Sequence, residues 1–195
     1  MTRLPAFGVA LLLLATGIAV AGTPRVPTPI GAGPMFHPGA SNTAVALGLP
    51  IGHWRAEHAT CPRDGAHLEL FARGRVVIIP AGIGVAPPIR TRGVYVIAGR
   101  CTYPARTREP TGVIEIDRST STTLGDFFSV WGRPLTPRRL VGFRAPPGEL
   151  VRAYVNGRRW RGDPRSIPLH RHAEIVLEIE SSIPPHATYR FPKGL

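Results

Sequence analysis

The chain has 195 residues, with 24 Lys and Arg against 12 Asp and Glu, and its formal net charge is +12 at pH 7. This length allows one domain of about 100–150 residues together with tails. The 22 prolines and 22 glycines predict short elements joined by many turns. The sequence contains neither a P-loop nor a G-x-S-x-G motif, so it gives no support to a nucleotide-dependent enzyme or a serine hydrolase.

The first 21 residues have the layout of a cleavable secretory signal peptide. Arg3 precedes an apolar run over 6–15, and residues 19–21 read Ala-Val-Ala, a small-residue cleavage site. The apolar run is shorter than the roughly 20 residues that span a bilayer, which disfavours a membrane anchor. We therefore predict export to the periplasm or the extracellular space, with no transmembrane segment after the signal is removed.

The basic excess survives cleavage, because the leader carries only Arg3, and the mature charge is about +11. Arginine supplies all the positive side chains except Lys193. Such an excess favours an anionic partner, such as an anionic component of the cell envelope, and no motif indicates specific nucleic-acid recognition. A GC-rich genome would produce the same Arg, Ala, Gly and Pro usage without selection for binding.

Two cysteines, Cys61 and Cys101, are present in a chain predicted to reach an oxidising compartment. We expect one disulfide between them, closing a loop of about 40 residues and worth about 3–4 kcal/mol in the chain-entropy model. No C-x-x-C pair is present, so a reactive dithiol is not predicted.

The composition divides the mature chain into three parts. Residues 22–60 are rich in Pro, Gly and small residues, and we interpret them as an N-terminal arm whose end is held by Trp54. A single β-rich domain follows over 61–180. The remaining residues, 181–195, are predicted to form an extended, Pro-rich tail.

Local patterns predict the elements of the domain in chain order. Alternating and β-branched runs on either side of Arg73-Gly74 indicate a hairpin over 67–79, and further strands are expected at 94–97 and 112–117. The best helix signal lies at 123–131. The set at its i, i+3, i+4 and i+7 positions is predicted to be core and consists of Leu124, Phe127, Phe128 and Trp131.

The second half of the domain ends in a hairpin and a strand. Asn156-Gly157 between two strand-like runs is the strongest short-range hairpin signal, and it sets Val155 opposite Arg158. The alternation of the preceding strand predicts that Val155 and Trp160 face inward. Residues 173–180 alternate between apolar and acidic side chains, which predicts a half-buried strand.

This order of elements predicts an α+β, β-rich fold. A hairpin, a helix packed across the sheet and a returning hairpin and strand resemble the β-grasp (ubiquitin-like) arrangement, with residues 85–117 as an inserted region of strands and loops. A small β-sandwich or an open barrel is the alternative. Fold class alone does not predict function.

Four stretches of the domain carry a wider resemblance: PAGIG (80–84), TGVIEID (111–117), TLGDFFSVWGRPL (123–135) and VNGRRWRGDPRSIPL (155–169). Together they resemble a group of uncharacterised exported bacterial proteins whose members carry the pattern H-T-H-D-x-x-G-V-I-H-I-E. The corresponding stretch here is RTREPTGVIEID (106–117), so three histidine positions are occupied by Arg106, Arg108 and Glu115. If that group binds a metal there, this chain lacks the ligands, and the resemblance implies fold more than activity.

Histidines offer one alternative function, an exported metal-handling protein. An H-x-H pair on a strand projects both imidazoles from one face, and imidazoles are common zinc and copper ligands. Two ligands do not make a site, and exposed turn residues are the simpler interpretation of the His170–His172 pair. The histidines considered for this role are His53, His58, His67, His170 and His172.

Charge is the feature that supports the leading hypothesis. Residues 130–171 hold ten arginines against Glu149 and Asp163, and three of the arginines surround Trp160 near the predicted hairpin tip. Arginine forks match phosphate and carboxylate groups, and an adjacent indole adds a stacking surface. We predict a non-enzymatic, envelope-associated binding module without a cofactor, whose basic outer face consists of Arg152, Arg159 and Arg161; an ordinary solvated face is the alternative.

Overall fold

The structure is a computed structural model, and it describes residues 33–38, 42–57, 63–181 and 188–195. The leader predicted over 1–21, together with His58 and Cys61, lies outside the described residues. In the part of the chain that the structure describes, no helix is long and apolar enough to cross a membrane.

The described residues are rich in strands, with two α-helices and one short 3-10 helix at Pro164–Ser166. In chain order the other elements are β1 (Met35–Phe36), α1 (Thr43–Leu47), β2 (Arg63–Ala72), β3 (Arg75–Val77), β4 (Val85–Ala86), β5 (Arg90–Arg92), β6 (Tyr95–Ala98), β7 (Cys101–Thr102), β8 (Ala105–Arg106), β9 (Val113–Asp117), β10 (Thr122–Thr123), α2 (Leu124–Trp131), β11 (Leu135–Thr136), β12 (Arg139–Leu140), β13 (Phe143–Arg144), β14 (Arg152–Val155), β15 (Arg158–Trp160), β16 (Pro168–Leu169) and β17 (Glu174–Ile179).

The largest sheet has the strand order β1-β3-β2-β17-β14-β15. Strands β2 and β17 lie side by side at its centre and run parallel, with Leu68 opposite Ile175 and Leu70 opposite Leu177. On one side β3 pairs antiparallel with β2, and on the other the hairpin of β14 and β15 pairs antiparallel with β17. The sheet is therefore mixed, and the predicted α+β class with few helices is confirmed.

Strand β2 has two partners along one edge. Its last two residues pair with β3, while residues 63–67 pair antiparallel with β9. Strand β8 pairs with β9 in turn, and this register sets Arg106 opposite Glu115. Strands β8 and β9 of the region predicted as an insertion, 85–117, thus join the main sheet, while β4 pairs with β7 and β5 pairs with β6 in two separate two-stranded sheets.

Helix α2 lies within the segment predicted to be helical, 123–131, and both of its ends are capped. The Thr123 hydroxyl accepts a hydrogen bond from the Asp126 amide at 3.3 Å, and the Asp126 carboxylate accepts one from the Thr123 amide at 2.9 Å. Gly132 closes the helix in the left-handed conformation, with φ of 71°. The predicted apolar set, Leu124, Phe127, Phe128 and Trp131, is fully buried and belongs to the same core as Ala153, Leu177 and Ile179.

The connector after α2 is rich in Pro and Arg. It forms a small antiparallel sheet of β11, β12 and β13, in which Leu135 lies opposite Leu140. Both leucines are fully buried. Their burial supplies the apolar contacts that the short strands need, and this could not be read from a two-residue strand pattern.

Parts of the segment predicted as an N-terminal arm pack on the domain. Val45 of helix α1 and Trp54 are buried in the main core. Glu57 exchanges two backbone hydrogen bonds with Thr102, at 2.9 and 2.8 Å. Strand β1 extends the edge of the main sheet through its parallel pairing with β3.

Residues 188–195 of the predicted tail lie against the face of the sheet opposite α2. The ring of Tyr189 stacks on the imidazole of His67, with centroids 4.0 Å apart and planes 5° apart. The Tyr189 amide donates a hydrogen bond of 3.0 Å to the Glu174 carboxylate. Gly65 makes room for Phe191, because a Cβ at residue 65 would come within 3.1 Å of that ring.

Candidate functional site

The candidate site is built on the hairpin of β14 and β15, at one edge of the main sheet. Its turn residues, Asn156 and Gly157, both have positive φ, 49° and 74°, as a two-residue hairpin turn of type I′ requires. Val155 lies opposite Arg158, which confirms the register that the sequence predicts. The Asn156 side chain also accepts a hydrogen bond of 2.9 Å from the Glu174 amide, which ties the turn to β17.

Trp160 faces the core side of the sheet, as predicted, and packs beside the buried Ala153. It is half-buried instead of largely buried, because β15 is the last strand of the sheet and no further strand covers its outer edge. The indole N–H donates a hydrogen bond of 3.2 Å to the backbone oxygen of Asp163. Gly162 permits this close approach, since a Cβ there would lie 3.1 Å from the indole nitrogen.

The opposite face of the hairpin carries Arg152, Tyr154 and Arg159. The Arg159 guanidinium lies 5.4 Å from the centre of the Tyr154 ring and donates a hydrogen bond of 3.4 Å to the Tyr154 hydroxyl. Arg152 forms an ion pair of 3.1 Å with Glu178 on β17. Of the predicted basic face, Arg152 is thus partly neutralised, while Arg159 remains exposed on an aromatic support.

A groove of about 350 Å³ runs along the edge of β15. Arg159 and Arg161 stand beside Trp160 in its wall, and Leu150 and Pro164 add apolar surface. Leu150 is 54% exposed, so its side chain is accessible to a ligand in the groove. The groove therefore combines two exposed guanidinium groups with a partly exposed apolar surface.

The arginines of 130–171 outnumber the acidic residues of the same segment, which are Glu149 and Asp163. Arg152 pairs with Glu178, which lies outside the segment on β17. Arg139 and Arg144 lie directly opposite each other on β12 and β13, an arrangement of like charges that opposes pairing. The segment therefore carries an excess of positive charge.

A second charged region lies where β8 pairs with β9, on the side of β2 away from β17. Arg106 binds Glu115 through two nitrogens, each 2.7 Å from Oε2, and Arg108 Nε lies 2.8 Å from Oε1. These are the three positions that the resemblance aligns with histidines. The structure brings them together, but as an ion triad of two arginines and one glutamate.

The histidines do not form a metal site in the part of the chain described. No group of three or more His, Cys, Asp or Glu side chains there could hold a metal ion. His67 is buried and contacts the Thr111 carbonyl, and His172 stacks on Phe191 with ring centroids 4.4 Å apart. His53 lies against Trp54, and His170 is exposed in the turn before β17.

Sequence reasoning identified the arginines near Trp160 but not the ion triad of Arg106, Arg108 and Glu115. The available signal was Arg-x-Arg at 106 and 108 followed by a charged residue in the next strand. This signal identifies the triad only when the register of β8 and β9 is known. The sequence does not give that register, because a loop separates the two strands.

Comparison of the chain with family models, with curated proteins and with solved structures finds no significant match.

Proposed function

We propose that this chain is an exported, non-enzymatic binding module with a β-grasp-like domain, which holds an anionic partner at the edge of the β14 and β15 hairpin. Export rests on the leader pattern at 1–21. An anionic component of the cell envelope is the partner that this location and this charge favour.

The β-grasp assignment is supported by five consecutive strands of the main sheet, in the order β3-β2-β17-β14-β15. The parallel pair is β2 with β17; β3 forms a hairpin with β2, β14 pairs with β17 and forms a hairpin with β15, and α2 lies between the two hairpins in sequence. The helix buries its apolar residues against the same core as the inward residues of β17.

The observation that carries the proposal is the groove beside Trp160. Arg159 and Arg161 are exposed there, and the Tyr154 ring holds the Arg159 side chain in place. A planar guanidinium binds phosphate or carboxylate oxygens through two parallel hydrogen bonds. The apolar wall formed by Trp160 and Leu150 suits the part of an amphiphilic partner that adjoins its charge.

The test is binding to vesicles by sedimentation, with anionic phosphatidylglycerol compared with neutral phosphatidylcholine. Replacing Arg159 and Arg161 together by Gln, with and without Arg152→Gln, should abolish most sedimentation with anionic vesicles at low salt. These side chains are at least partly exposed, so the melting temperature should change little. A soluble anionic polysaccharide, tested as a competitor of vesicle binding, distinguishes a glycan from a lipid headgroup as the anionic group that the groove binds.

A matched control removes the same charge from other surfaces. Arg55, Arg90 and Arg92 are exposed and lie outside the groove. Their triple Gln variant should bind anionic vesicles nearly as well as the parent chain. Equal loss in the two triple variants would overturn the proposal and would leave codon usage as the account of the basic excess.

A further inference from the structure

A cleft of about 390 Å³ lies on the far side of the domain, between the ends of β2, β7 and β8. Its size falls within the range of small-molecule sites. The charged lining consists of four arginines and two glutamates: Glu57, Arg63, Arg100, Arg106, Arg108 and Glu115. None of these residues lines the groove beside Trp160, so the two sites can be tested independently.

The single negative charge of Glu115 does not neutralise this cleft, because its two oxygens bind two guanidinium groups, one each. Oε2 lies 2.7 Å from two nitrogens of Arg106, and Oε1 lies 2.8 Å from Arg108. Glu115 is only 8% exposed, while the Arg108 side chain reaches solvent, and the ion triad keeps one excess positive charge. Charges in such a position are costly unless they are paired.

Arg63 adds another shielded guanidinium, since it is 8% exposed. It donates to the Pro104 carbonyl at 3.1 Å and to the Thr102 hydroxyl at 3.3 Å, which fixes its head group at the cleft wall. Arg100, which is exposed, binds the Ala46 carbonyl at 3.4 Å. The wall thus presents guanidinium groups held in place by the fold, an arrangement that binds an anion with little further ordering.

The charge and the lining indicate the class of ligand. The charged lining holds four arginines and two glutamates, a basic surround that suits a phosphate monoester at about −1.5 to −2 near pH 7. Ile97 and Leu195 contribute apolar surface to the same cleft. We propose that this cleft binds a small phosphate monoester, with the phosphate among the arginines and a compact apolar group against Ile97.

The test is titration calorimetry of the mature chain with inorganic phosphate, phenyl phosphate and benzoate. Phenyl phosphate should bind more tightly than inorganic phosphate, because it also fills the apolar wall, and benzoate should bind more weakly than phenyl phosphate. Arg108→Gln should weaken phenyl phosphate binding about tenfold. The Arg108 side chain is 42% exposed, so its replacement should leave the melting temperature nearly unchanged and the loss reports on binding.

Two further variants make the result specific. Glu115→Gln keeps the shape of the side chain but removes its charge, so it should tighten phenyl phosphate binding about fivefold. Arg73→Gln removes an exposed arginine that pairs with Glu180 at 3.3 Å outside the cleft, and it should leave binding unchanged. Binding that falls equally in Arg108→Gln and Arg73→Gln, weaker binding in Glu115→Gln, benzoate binding as tight as phenyl phosphate, or no heat from any probe would each overturn the assignment.

Discussion

The Thr111 hydroxyl donates a hydrogen bond of 3.1 Å to Oε1 of Glu109, and both residues are almost completely buried. Burial is the main cause that raises the pKa of Glu109, and the charge of Glu115 raises it further. Hydrogen bonds from Thr111 and Tyr95 act in the opposite direction but do not cancel the rise in the pKa. The folded protein therefore favours the protonated form of this carboxyl more than the unfolded chain does.

The raised pKa of Glu109 predicts a stability effect that grows with pH. The stabilising contribution of the protonated carboxyl is present below its unfolded pKa of about 4.3 and is lost as the pH rises through the higher folded value. Glu109→Gln keeps an acceptor for Thr111 and has no charge to bury. Its free energy of unfolding, relative to the parent chain, should thus increase between pH 4 and pH 7 in urea titrations.

Glu149→Gln is the control for this experiment, because Glu149 is exposed and has no ion pair among the described residues. Its stability relative to the parent chain should be nearly independent of pH. A pH-independent difference for Glu109→Gln as well would show that the carboxyl is not desolvated in solution.

Asp126 should show the opposite pH dependence. Burial alone would raise its pKa, but hydrogen bonds from the Thr123 hydroxyl and amide, with smaller contributions from Trp54 and His53, together outweigh burial and lower the pKa. The stabilisation by the carboxylate is then present above its unfolded pKa of about 3.9 and is lost as the pH falls through the lower folded value. Asp126→Asn should lose about 0.5–1 kcal/mol of unfolding free energy at pH 7, with a smaller loss at pH 3. A loss of the same size at both pH values would contradict this.

Phe128 tests the packing of α2. Its ring is completely buried and lies 5.5 Å from the ring of Trp131 and 6.0 Å from that of Phe127, centre to centre. Phe128→Ala should lower the free energy of unfolding by about 3–5 kcal/mol in urea titrations. Leu47→Ala is the control, because Leu47 is 60% exposed, and it should cost well under about 1 kcal/mol. An equal loss of unfolding free energy in the two variants would show that α2 does not bury the face that carries Phe128.

The elements that could be predicted from the sequence have signals within a few residues of one another. The capping pair of Thr123 and Asp126 fixes the start of α2, and Asn156-Gly157 fixes the register of β14 and β15. These are local choices between backbone conformations, so neighbouring residues suffice to make them.

The features that could not be predicted depend on partners far apart in the chain. Arg106 and Arg108 meet Glu115 only because β8 pairs with β9 in one register, and β9 in turn lies along β2. The packing of Tyr189 on His67 joins residues more than a hundred positions apart. Neither contact leaves a periodic pattern in the sequence, which is why the cleft and the covered sheet face emerge only from the fold.

The pairing of Cys61 with Cys101 remains a prediction, and the described residues on either side of Cys61 support it. Cys101 is buried and has a free thiol in the structure, while Cys61 lies outside the described residues. Glu57 exchanges backbone hydrogen bonds with Thr102, and Arg63 binds the Thr102 hydroxyl at 3.3 Å. The chain is thus held beside the neighbour of Cys101 both four residues before Cys61 and two residues after it.

We therefore expect the exported protein to contain the Cys61–Cys101 disulfide, because an oxidising compartment favours a disulfide over two free thiols. Thiol titration of the unreduced, unfolded mature protein should detect no free thiol. Cys61→Ser should lower the free energy of unfolding by about 3–4 kcal/mol, and reduction of the parent chain should lower it by a similar amount. As a control, reduction should not change the stability of Cys61→Ser. Two free thiols in the unreduced parent chain would show that the disulfide does not form.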